Sequence, residues 1–72
     1  MIQVTIFEGQ YLETKQGRTY HTIVGVGRNK RSYKKATAAA WRDFRKNDKD
    51  GTPILTWREI SVNGKVVSTE NI

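Results

Sequence analysis

The stretch RNKRSYKK, residues 28–35, holds five basic residues among eight and no acid. Ammonium and guanidinium groups at that density do electrostatic chemistry, gripping phosphates or carboxylates through charge-assisted hydrogen bonds. The run does not stop there. Arg28, Lys30, Arg31, Lys34, Lys35, Arg42, Arg45 and Lys46 are opposed by Asp43 alone, so residues 28–46 carry +7 in a chain of +6. The remainder, with five basic and six acidic residues, is nearly neutral. A local field of one sign steers association with polyanions, chiefly nucleic acid, or with an acidic protein surface. These eight residues are the expected contacts to such a partner.

Other chemistries find few candidates. His21 is the single histidine, and there is no cysteine. A catalytic triad or a metal site needs partners at recognisable spacing, and neither HExxH nor any set of thiolates is present. Gly25-Val26-Gly27 is too short for a phosphate-binding loop and reads as a strand end. No catalytic residue, metal, cofactor or small-molecule substrate is expected. A thiol-free composition fits a reducing compartment. MIQVTIFEGQ lacks the basic and apolar regions of a signal peptide, and no apolar run approaches the ~20 residues that span a bilayer. The expectation is a cytoplasmic protein without membrane association.

The elements that must position the basic residues follow from periodicity. Ile2, Val4 and Ile6 alternate with Gln3, Thr5 and Phe7, a strand pattern, with an irregularity expected near Gly9. Thr14-Lys15-Gln16-Gly17 reads as a turn. Tyr20, Thr22, Val24 and Val26 alternate with Thr19, His21 and Ile23 as a second strand. Ser32 is the expected N-cap of a helix from Tyr33 to Lys46, rich in alanine and free of Gly and Pro. Asn47 to Gly51 stops it, and Pro53 prevents resumption. Ile54 to Val62 reads as a strand, Asn63-Gly64 as a type I′ turn, and Lys65 to Thr69 as a final strand. The expected fold is a single α+β domain over residues 1–72. Two β-hairpins in β-β-α-β-β order make a four-stranded antiparallel sheet, with one helix packed on one face.

At ~100° per residue, Tyr33, Ala36, Thr37, Ala40 and Phe44 share the core side of that helix, with Trp41 at its edge. The outer side holds Lys34, Lys35, Arg42, Arg45 and Lys46. A solvated helix usually mixes signs, gaining ~0.2–0.5 kcal/mol for each Glu–Lys pair four apart. Lysines at a helix start also oppose the dipole, unless an anion docks there. A second surface is also expected. Phe7, His21, Ile23 and Trp57 are placed on the sheet face away from the helix, as a contact or stacking platform. The alternative puts Trp57 under the helix.

GVGRNKRSYKKATAAAW resembles the C-terminal motif of double-stranded-RNA-binding domains. Gly25, Gly27, Ser32, Lys34, Lys35, Ala36 and Ala38 to Ala40 carry the resemblance, which implies that Lys34 and Lys35 grip phosphates across a groove. The family's first helix has no counterpart here, and two strands follow the helix that should end the domain. In size and element order the whole chain is similar to small phage and mobile-element proteins, including some anti-CRISPR proteins. That similarity implies an inhibitor acting by protein-protein contact and assigns no residue. The leading expectation is a non-enzymatic protein that docks nucleic acid, or the nucleic-acid-binding channel of a nucleoprotein complex, through its basic helix and loop. The alternatives are the phage-type inhibitor and a structural or ribosome-associated subunit.

Overall fold

The period-two segments form strands and the alanine-rich run forms a helix, in the expected α+β order. A computed structural model describes every residue except Gln16, Asp48 and Lys49. Among the described residues, β1 (Val4–Glu13) and β2 (Tyr20–Gly27) precede α1 (Lys30–Asn47), and β3 (Thr52–Val62) and β4 (Lys65–Asn71) follow it. The strands form one antiparallel sheet in the order β2-β1-β3-β4. The first hairpin closes where Thr14 N donates to Thr19 O at 3.0 Å. Of the residues expected in that turn, Gln16 lies outside the described residues; so do Asp48 and Lys49 in the expected helix stop. Asn63 and Gly64 take φ of 51° and 82°, as a type I′ turn demands. Asn63 also ties that turn to the chain start: its N donates to Gln3 O at 2.8 Å, and its Oδ1 accepts from Gln3 N at 2.9 Å.

The topology decides where the helix sits. β2 and β3 both run antiparallel to β1, which lies between them, so they are parallel to each other. Parallel strands need a crossover, usually a helix, and α1 is that crossover. It rests on β2 and the adjoining side of β1 and does not reach β3 or β4. Glycines let it come close. A Cβ on Gly25 would strike Thr37 and the Tyr33 carbonyl, and one on Gly27 would strike Ser32 and Tyr33. The buried apolar side chains, Leu12, Ile23 and Tyr33, all belong to this covered half. The molecule is elongated, with extents of 45 × 20 × 16 Å.

Two expectations need correction. The helix starts at Lys30, and its cap is Asn29 rather than Ser32. Asn29 Oδ1 accepts from Ser32 N at 2.9 Å, while Ser32 Oγ accepts from Asn29 N at 3.1 Å. This is a reciprocal capping box with serine in the place usually held by Glu or Gln. Strand β1 runs unbroken through Gly9. The irregularity lies between Tyr11 and Leu12, where Ile54 is the extra residue on β3. The two hairpins differ in cover, a point on which the sequence carries no expectation: β4 is exposed along its whole length.

Candidate nucleic-acid interface

Helical geometry collects the basic residues on one surface. Lys30, Arg31, Lys34, Lys35, Arg42, Arg45 and Lys46 are all exposed. The side opposite carries Tyr33 and Thr37, which are buried, and Ala36, Ala40 and Phe44, which are half-buried. From Arg31 to Lys46 the basic surface is about 22 Å long at ~1.5 Å per residue. Ala38, also exposed, leaves its middle low. The first turn contains no acid; Lys30 and Arg31 put two cations at the positive end of the dipole. Arg28 stands apart. It occupies the short link before α1 and lines an open depression with Met1, Ile2, Gln3 and Val4.

Two of the basic residues are already engaged within the molecule. Lys34 Nζ lies 3.2 Å from Glu8 Oε1, and the Glu8 side chain is only 4% exposed against 54% for Lys34. Glu8 points up from β1 towards the helix, where burial of an unpaired carboxylate would be costly. Lys34 therefore offsets an internal charge, which separates it from Lys35. The Arg45 guanidinium carbon sits 5.2 Å from the centre of the Trp41 ring. Trp41 is in turn held by its Nε1 donating to Gln10 Oε1 at 3.1 Å, and it meets Phe44 edge-on. Among the described residues, Lys34 is the one cation of α1 with an ion-pair partner.

The sheet face turned away from α1 holds only half of the residues expected there. Gly9 pairs directly with Trp57 on β3, and the indole lies over the glycine, where a Cβ would collide with it. Along β1 the flanking positions are Phe7, 6.2 Å from Trp57 between ring centroids, and Tyr11, stacked on it at 4.9 Å. Val24 and Val26 pair with Gly9 and Phe7 from β2 and extend the apolar surface. His21 and Ile23 belong to the other face. His21 meets Phe44 edge-on beneath the helix, and Ile23 is 5% exposed. The reason lies in β2: Gly25 and Gly27 turn to the helix, so the residues two and four before them do as well, and the bulky valines face away. Tyr11 was missed on this surface, although Phe7-Gly9-Tyr11 has the period-two spacing that marks one strand face.

Among the described residues no group of three His, Cys, Asp or Glu could hold a metal. Among the described residues, no helix is long and apolar enough to cross a membrane. No protein-family model, curated protein or solved structure matches the chain.

Proposed function

We propose that the protein works by binding, without catalysis. It docks nucleic acid, or the nucleic-acid-binding channel of a nucleoprotein complex, through the outer face of α1. One observation carries this reading: the exposed face of an 18-residue helix presents cations along its length with Asp43 as its single acid. Such a face repels itself in isolation and is relieved by a row of phosphates, which also releases their counterions. Arg28, beside the start of β1, extends the same charge around the helix start. The test is affinity for duplex DNA and RNA as salt is raised. With five or six phosphate contacts, log affinity should fall against log salt with a slope of roughly −5 on duplex DNA. Absence of binding to any duplex or single strand at ~50 mM salt, where such contacts are strong, would remove direct nucleic-acid docking and leave a protein partner.

The aromatic sheet face favours a second reading, an inhibitor-like protein contact. Tyr11, stacked on Trp57, is 43% exposed, and Val26 on the same face is 50% exposed; Tyr and Trp are the residues that anchor interfaces. Trp57→Ala separates the two. It should lower stability by about 1–3 kcal/mol, since it uncovers Gly9 and unstacks Tyr11. Under the leading reading, the folded mutant keeps its polyanion affinity. A folded mutant that binds polyanions normally yet loses its biological effect would move the site to the sheet.

A further inference from the structure

Resting on that reading, we infer that the polyanion is B-form duplex DNA and that α1 enters its major groove. The outer face of the helix is ordered into rows. At ~100° per residue, Arg31, Ala38 and Arg42 form a central row; Lys34 and Arg45 lie about 40–60° to one side, and Lys35 and Lys46 about as far to the other. All seven residues are exposed. A groove has two phosphate walls and a floor of base edges. Arg45 on one flank and Lys35 and Lys46 on the other meet the walls, Lys34 staying with Glu8, and the central arginines face the floor, where guanine O6 and N7 accept a bidentate guanidinium. Ala38 between them lets the backbone come close. Trp41 beneath the Arg45 guanidinium holds that side chain out on its flank.

The surroundings of α1 permit entry. The helix lies over β2, an edge strand of the sheet, and leaves β3 and β4 uncovered. Its outer face therefore stands above the sheet by about the thickness of a helix, ~10–12 Å. The major groove is ~12 Å wide and ~8.5 Å deep, so the helix reaches the floor before the phosphate ridges meet the sheet. The deep, narrow major groove of A-form RNA excludes it. A flat basic surface gripping a duplex from outside would treat the two nucleic acids alike, because it would feel phosphates only.

Three duplexes of about 20 bp, roughly two helical turns, test this at one salt concentration: plain DNA, RNA of the same sequence, and DNA whose cytosines carry glucosylated 5-hydroxymethyl groups. The sugar fills the major groove and leaves the phosphate charge unchanged. Plain DNA should bind at least ~10-fold tighter than either of the others. Affinities of all three within ~3-fold would overturn groove entry and leave phosphate docking standing; tighter binding to RNA would overturn it as well. Binding to none would remove both the inference and the direct nucleic-acid docking beneath it. Arg42→Ala adds an independent check on a residue exposed at the surface. It should reduce the preference for plain over glucosylated DNA, and an unchanged preference counts against a central row on the groove floor.

Discussion

The sheet has two unlike halves. Beneath α1, β2 carries the glycines that admit the helix, and β1 and β2 contribute Leu12 and Ile23 at 0% and 5% exposure. On the other side, β3 is exposed or half-buried throughout, and β4 is exposed at every position, with Val66 at 57% and Val67 at 62%. The hydrophobic effect scales with apolar area removed from water, so the covered half supplies most of the folding free energy. The bare half is held by its ladder, by the Asn63-Gly64 turn and by the Arg58–Glu70 ion pair. A chain of this size buries only ~60% of its unfolded surface. Concentrating that burial under one helix leaves the other surfaces available for contacts.

The largest expected difference between the halves is in core truncation. Leu12 lies beside Gly51 under the C-terminal end of α1, where Phe44 also packs, and it is fully buried. Leu12→Ala should cost about 2–5 kcal/mol, enough to unfold a domain with so thin a core. Val67→Ala, the extra residue of the β4 irregularity, should change stability by less than ~0.5 kcal/mol. Thermal or urea unfolding of the pair measures the contrast. Equal losses would mean that the stability is shared across the sheet.

A smaller effect distinguishes the adjacent lysines at the helix start. Among the described residues, Lys34→Ala leaves the buried Glu8 carboxylate with Gln10 Nε2 alone, at 3.4 Å, and should cost about 1–2 kcal/mol, discounted because Lys34 itself is half exposed. Lys35→Ala should leave stability within ~0.5 kcal/mol while making the salt slope of binding shallower by ~0.9. Chemical denaturation and a salt titration on both variants give the two readouts. Equal stability losses would erase the division of labour between them.

How much of this was legible in the sequence depends on the range of the interaction. The element order, the Asn63-Gly64 turn and the two sides of α1 follow from local patterns of period two and ~3.6, and the structure matches them. The cap at Asn29 was local as well, but it replaced the usual Glu or Gln with Ser32, and Ser32 itself looked like the cap. The face of His21 and Ile23 was hidden because β2 inverts the ordinary rule. Its glycines face the helix, so apolar alternation points the wrong way. Lys34 and Glu8 are 26 residues apart; their pairing depends on which strand the crossover covers, and no local signal carries that. The basic residues themselves needed only composition and helical periodicity to be found.

The smallest expected effect concerns the first turn, and its sign is its value. With the helix starting at Lys30, Lys30 and Arg31 stand where the dipole is positive, while Lys34 and Lys35 lie beyond its steep range. Replacing both with glutamate should stabilise the isolated protein by a few tenths to ~1 kcal/mol each at low ionic strength, because an acid suits that end of a helix. Most of the gain should vanish near 1 M salt, where the screening length falls to ~3 Å. The same double variant should bind polyanions more weakly, as two cations become acids on the surface that meets phosphate. Function and stability then move in opposite directions, as expected where a surface is arranged for an anion that the free protein lacks. A double variant with lower stability and unchanged binding would make these two cations part of the covered half's own architecture, and the basic helix face would begin only at Lys35.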